Sequence, residues 1–137
     1  MAIDRVEIAR RIVDAWNAHD ARKAFSFFTE DDSDDDTTQP EKFSGPRCQQ
    51  YWQEFFDSFP DVRFDVSRIL ACGDYAVIEC TFMGTQQSEF SPWTDEYTQG
   101  RRFEVRAAFI FRFRNDRVYE ISEYYDRATI VKQLKGR

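Results

Sequence analysis

Residues 103–125 constrain this chain more than any other stretch. From Phe103 to Phe113, Val105, Ala107, Phe109, Phe111 and Phe113 fall on one side. Arg106, Ala108, Ile110, Arg112 and Arg114 fall on the other. Period-two alternation of this length specifies a strand, because successive side chains leave a strand on opposite faces. Asn115-Asp116 then reads as a two-residue turn, and Arg117 to Tyr125 as the returning strand. Asp126 to Leu134 reads as a closing helix. The ring-rich face is expected inside, and the Arg-lined face against solvent or a second subunit. On the returning strand Tyr119, Ile121, Glu123 and Tyr125 share a face. Their apolar members place that set inside and bring Glu123 with them.

The rest of the chain supplies what such a hairpin packs against. Asp4 with Glu7 three residues on resembles a capping box, and Ala9, Ile12, Val13 and Trp16 follow helical spacing to about Ala18. Asp20 caps a short second helix carrying Ala21, Ala24, Phe25 and Phe28. Pro46 opens a third helix, whose apolar side is Cys48, Trp52, Phe55, Phe56 and Phe59, and Pro60 stops it. Val62, Phe64 and Val66 then alternate with charged residues. Gly73-Asp74 is a turn, and Tyr75 to Thr85 is a strand with Ala76, Ile78, Cys80 and Phe82 inward. Residues 86–100 form a polar and aromatic loop holding Trp93 and Tyr97. Helices followed by long antiparallel strands indicate one α+β domain over 1–137, a curved antiparallel sheet wrapped around the N-terminal helices in a cone.

Glu30 to Asp36 places six acids in seven positions. A calcium loop is excluded, because counting from Asp32 the sixth position is Thr37 and the twelfth is Phe43. A run of like charge repels itself and prefers water, so a solvated loop or short edge strand is expected, with one acid turned inward. The net charge of -6 disfavours nucleic acid and anionic membranes as partners. No apolar run is long enough for a membrane span, and no apolar signal region follows Met1. Three Cys without a Cys-x-x-Cys pair give neither a disulfide frame nor a zinc site, so a reducing cytoplasm is the expected setting. No metal-ligand cluster and no nucleotide-binding glycine pattern is present. The expected partner is a small hydrophobic molecule, without cofactor.

Two acids compete for the chemistry. Glu123 among rings is costly to ionise, and a carboxyl pushed toward neutrality suits general acid–base work. A one-residue bulge would instead put it on the surface against an Arg. Asp126 directly precedes Arg127-Ala128-Thr129-Ile130, which is a helix N-cap position.

The stretches DYAVIECTFMGTQ and RRFEVRAAFIFRFRNDRVYEISEYYDRATIVKQL resemble those of the SnoaL-like polyketide cyclases, of the nuclear-transport-factor-two-like superfamily. The resemblance implies a cone-shaped α+β barrel, homodimeric through the outer sheet face. It matches Glu123 to an acid three residues before a strand-ending Asp, and Asp126 to that Asp. Asp36 matches an Asp base after helix two in the steroid-isomerase-like members. The Arg and Asp of the epoxide hydrolases fall on Cys80 and Phe82, and the His that often follows Gly-Thr in the cyclases is Gln86. The implied activity is a cofactor-independent cyclase or isomerase acting on a polyketide- or terpenoid-like carbonyl compound. Glu123 moves a proton, with Asp36 or Asp126 as partner acid. Tyr125, Tyr119 or Tyr51 holds the oxyanion. Trp16, Trp52, Phe56, Phe64, Cys80, Phe82 and Phe109 shape the site under a lid of Trp93 and Tyr97. A binding or structural member with a pocket filled by its own Phe rings is the alternative, and epoxide hydrolysis a third reading. An open cavity reaching Glu123 favours the enzyme, and a filled cone opposes it.

Overall fold

In the computed structural model the described residues are 4–94 and 100–136. Tyr97 lies outside them. Helix α1 (Arg5–Asn17) starts at Asp4, whose carboxylate accepts from the amides of Val6 and Glu7. It buries Ile8, Ala9, Ile12, Val13 and Trp16 at helical spacing. Helix α2 (Ala21–Phe25) is capped by Asp20. Strand β1 (Phe28–Asp36) and the short β2 (Phe43–Ser44) precede helix α3 (Pro46–Ser58). Strands β3 (Arg63–Cys72), β4 (Tyr75–Thr85), β5 (Arg102–Arg114) and β6 (Arg117–Tyr125) follow, and helix α4 (Arg127–Lys135) closes the chain.

The six strands form one sheet in the order β2-β1-β6-β5-β4-β3. All neighbours pair antiparallel except β1 and β6, which run parallel. This corrects the all-antiparallel expectation. It also corrects the reading of the acidic run, which is β1 itself, an inner strand with a neighbour on each side. Its side chains alternate, so Asp32, Asp34 and Asp36 are buried at 3, 0 and 0% exposure.

The β5 alternation is as expected: Phe103, Val105, Phe109, Phe111 and Phe113 are buried. Asn115 takes a left-handed φ of 59° to make the turn into β6, a conformation Asn tolerates through its short polar side chain. The returning strand departs from strict alternation. A bulge falls where Arg112 pairs with Glu120 but Phe113 pairs with Val118, so Tyr119 is the extra residue. Val118 takes the inward place. Tyr119 turns outward, with the guanidinium carbons of Arg114 and Arg112 at 4.5 and 5.5 Å from its ring. Tyr119 is therefore corrected from a pocket residue to an outer-face residue. Beyond the bulge Ile121 and Glu123 point inward as expected.

The core between the helices and the sheet is a continuous cluster of rings. Trp16 of α1 stacks on Trp52 of α3 at 4.5 Å and 13°. Phe64 of β3 stacks on Phe82 of β4 at 5.4 Å and 8°. Phe109 meets Trp16 edge-on at 5.1 Å. Offset and edge contacts of this kind stabilise beyond the area they bury.

Candidate active site

Helix α3 carries Tyr51, Trp52 and Phe55 on its buried side, so two adjacent residues bring an O–H and an N–H into the core. Both meet acids of β1. The Tyr51 hydroxyl donates to Asp36 Oδ2 at 2.6 Å. The Tyr125 hydroxyl, at the end of β6, donates to the same oxygen at 2.6 Å. The other Asp36 oxygen accepts from the Thr38 amide at 3.0 Å and the Thr38 hydroxyl at 2.7 Å. Four donors make Asp36 a fully solvated carboxylate without water. Burial, followed by nearby acids, pushes both phenols up, so Tyr51 and Tyr125 stay protonated.

Two residues back on the same face, Asp34 Oδ2 accepts from Trp52 Nε1 at 2.7 Å. The Glu123 carboxyl neighbours Asp34, and the two influence each other's protonation. Burial is the main cause that raises both groups, Asp34 to about 6 and Glu123 well above its ordinary value. The indole N–H favours the charge on Asp34, and Asp34 in turn favours the proton on Glu123. One further oxygen of each group, Asp34 Oδ1 and Glu123 Oε2, is buried without a donor from any other described residue. The surroundings thus favour a proton on Glu123.

Glu123 faces a cavity. Tyr51, Trp52 and Phe55 form one wall, and Phe64, Phe82 and Phe109 the sheet side. Phe90 and Trp93 close it, and Glu123 and Tyr125 are its polar members among these rings. The free space is about 20 Å³, room for one water. The loop segment over it is tethered: Trp93 Nε1 donates to the Tyr125 hydroxyl at 2.8 Å. Gln39 Nε2 and Arg127 Nη1 donate to the Pro92 carbonyl at 2.7 and 3.2 Å.

The remaining candidates lie elsewhere. Trp16, Phe56 and Cys80 are buried but form no part of the cavity wall. Trp16 backs Trp52, and burial pushes the Cys80 thiol up to about 12, which leaves it protonated and inert. Asp126 is exposed at the N-cap of α4, accepting from the Thr129 amide at 3.3 Å and its hydroxyl at 2.8 Å. Those bonds from Thr129 hold its carboxyl below the usual range. Asp126 is the helix cap that its place in the sequence indicated, and it does not line the cavity. Sequence reasoning missed Asp34 as the acid beside Glu123, together with the wall residues Phe55 and Phe90. Period-two reading of the acidic run would have grouped Asp32, Asp34 and Asp36. His19 spends its ring on the fold, with Nε2 2.7 Å from the Val62 carbonyl.

The candidate SnoaL-like polyketide cyclase from Jannaschia sp. CCS1 is 17% identical, with a TM-score of 0.84 over 97% of this chain and 92% of that one. IdmH, a candidate polyketide cyclase from Streptomyces antibioticus, is 23% identical, with a TM-score of 0.75 over 97% and 99% of the two chains. TsrD from Streptomyces laurentii is 19% identical, with a TM-score of 0.81 over 98% and 99%. At these identities the likeness is one of fold. No curated protein sequence matches the chain. The sequence model of one family matches residues 6–134, nearly the whole domain built by the helices, the sheet and the acid pair, so the chain belongs to the SnoaL-like polyketide cyclases.

Proposed function

We propose that this protein is a cofactor-independent cyclase or isomerase of a carbonyl-bearing polyketide- or terpenoid-like molecule, with Glu123 and Asp34 as its proton-handling pair. The family gives the coarse statement, a cyclase-type role on a small molecule. The observation that carries the finer reading is a buried pair of neighbouring carboxyls, Asp34 and Glu123, of which Glu123 opens on a ring-lined cavity.

The pair's proton can sit on either member. With it on Asp34, Glu123 is a carboxylate in an apolar site and a strong base there. It takes a proton from the carbon next to a carbonyl, and the enolate closes on a second carbonyl of the same molecule. A carbon–carbon bond forms, and Glu123 returns the proton to the new alkoxide. Atoms and charge balance without a co-reactant. Tyr51 and Tyr125 do not serve as oxyanion donors in this scheme. Each has one O–H proton, and Asp36 holds both. Asp36 is a positioning charge that fixes Tyr125 and, through it, Trp93.

A cavity the size of one water does not hold such a substrate. Entry requires the Phe90–Trp93 segment to swing out, breaking the Trp93–Tyr125 bond. That same observation favours the second reading, a non-catalytic member whose cone is filled by its own rings. Epoxide hydrolysis stands behind both, since the inner positions Cys80 and Phe82 offer no cation to an opening ring.

The test is deuterium exchange at the carbon next to the carbonyl of 2-tetralone and open-chain aryl ketones in D2O, followed by NMR. Exchange above the buffer rate that falls to it in Glu123→Gln supports the enzyme. Exchange no faster than buffer across the panel, with no saturable change in Trp fluorescence, favours the filled cone. We further propose a homodimer through the outer sheet face, where Leu70, Tyr75 and Tyr124 are exposed at 56, 41 and 48%. Light scattering at micromolar concentration reads its mass directly.

A further inference from the structure

A second cavity shares no lining residue with the first. It lies where the end of α2, the start of β1 and the first turn of α3 meet, and it measures about 480 Å³. Its polar feature is Asp32. This side chain is 3% exposed, and its Oδ2 is buried without an N–H or O–H partner. Beside it lies the Cys48 thiol, kept protonated by burial and a weak donor, with its Sγ 4.0 Å from the Asp32 carbonyl oxygen. Glu30 and Gln49 stand exposed at the rim. Phe25 and Phe28, with ring centroids 4.5 Å apart, and Pro46 give an apolar wall. No Lys or Arg lines the cavity among the described residues.

We infer that this cavity binds an alkylammonium cation, its ammonium donating to the Asp32 carboxylate and its carbon chain lying on Phe25, Phe28 and Pro46. A buried carboxylate oxygen lacking a donor is an incomplete site, and a cation carrying N–H groups completes it. An anion would face Asp32 and Glu30 together. A neutral apolar guest would leave Asp32 unpaired. A bare metal ion would gain nothing from a wall of rings, and the described residues bring no three His, Cys, Asp or Glu together as ligands. Burial, then the neighbouring Asp34, raises the Asp32 carboxyl to about 6, a strain that a bound cation relieves.

The experiment is titration of the protein with n-butylammonium chloride at pH 7.5 and low salt, read by amide NMR shifts. Sodium chloride and n-butanol serve as controls. Saturable shifts at residues 25–32 and 45–49, with Kd on the order of 1 mM for so small a probe, are expected. Asp32→Asn should bind roughly tenfold more weakly, having lost the charge-assisted bond. Its melting curve establishes that it is folded. Glu30→Gln, on the exposed rim, should weaken binding by about twofold through lost attraction alone. Nα-acetyl-lysine N-methylamide separates the sources: binding by it as well shows that a lysine presented by another chain reaches Asp32. Binding of n-butylammonium alone restricts the site to free amines. The inference is overturned by no saturable shift, by n-butanol binding equally, by an unchanged Kd in Asp32→Asn, or by shifts centred on Tyr51 and Trp93.

Discussion

Replacing Glu123 by Gln tests the shared-proton pair without needing the substrate. Glu123 is 4% exposed, and its ionised form is penalised first by burial and then by Asp34. The folded protein therefore keeps the Glu123 proton at pH values where the unfolded chain, titrating near 4.5, has released it. Because the folded value is raised, folding takes up a proton across this window, and stability falls as pH rises through it. One proton per pH unit is about 1.4 kcal/mol, which is the ceiling on what this group takes from the wild type per unit as pH rises. Among the other resolved shifts, those of Asp32 and Asp34 add to the fall at the low end of the pH 6–8 range. Asp32 and Asp34 reach about 6, Asp31 and Asp126 are lowered, and Tyr51 and Tyr125 are raised from 10. Gln is neutral at every pH and keeps an N–H for Asp34. Glu123→Gln should therefore lose less stability than the wild type between pH 6 and pH 8. Urea unfolding followed by Trp fluorescence at both pH values measures it. Parallel pH profiles for the two proteins would refute the placement of the proton on Glu123.

Trp52→Phe keeps a ring against Trp16 but removes the N–H that Asp34 accepts, and should cost about 1–3 kcal/mol at pH 7 by urea unfolding. The loss should shrink at pH 5, where Asp34 gains a proton of its own. Tyr125→Phe strips one donor from Asp36 and the acceptor from Trp93. It should destabilise by about 1–3 kcal/mol and raise acrylamide quenching of Trp fluorescence as the Phe90–Trp93 segment loosens. Asp126→Ala should lower the melting temperature by a few degrees through the lost cap while leaving ketone exchange intact. Exchange lost without loss of stability would return Asp126 to the site.

The fold was legible wherever one strand's own pattern decided it. Apolar residues recur at every second position of β5 from Phe103 to Phe113, so the inward set could be read directly. Tyr119 could not, because a bulge is a property of two strands: nothing in Arg117–Tyr125 alone says that Phe113 will pair with Val118. Glu123 kept its inward place because the bulge lies N-terminal to it. The acidic run was opaque for a further reason. Its composition argues for water, and the groups that replace water are distant in sequence. Tyr51, Trp52 and Tyr125 lie 15, 18 and 89 residues from the aspartates they serve. Only the period-two spacing of Asp32, Asp34 and Asp36 pointed to a strand, and charge repulsion outweighed it as a reading of the sequence.

The three buried aspartates of β1 differ in one respect that orders their roles, the number of donors each receives. Asp36 has four, and its work is to hold Tyr51 and Tyr125. Asp34 has the Trp52 N–H and otherwise depends on the Glu123 proton, so its charge is tied to where that proton sits. Asp32 has a thiol at best and a cavity beside it. A carboxyl with full donor supply is held in place, one with half supply is tied to its neighbour's proton, and one with an unfilled oxygen invites a ligand. The gradient runs along a single strand face at two-residue steps. The same backbone therefore carries a positioning group, a proton-handling group and a binding group, distinguished by which side chains of α3, of β6 and of Thr38 come within reach. Adding a donor to the poor end is the direct check. Gln49 and Pro46 sit at the Asp32 cavity, and Gln49→Lys supplies an internal ammonium there. It should stabilise the fold above pH 6 and abolish n-butylammonium binding, whereas the ketone exchange assigned to Glu123 should not change.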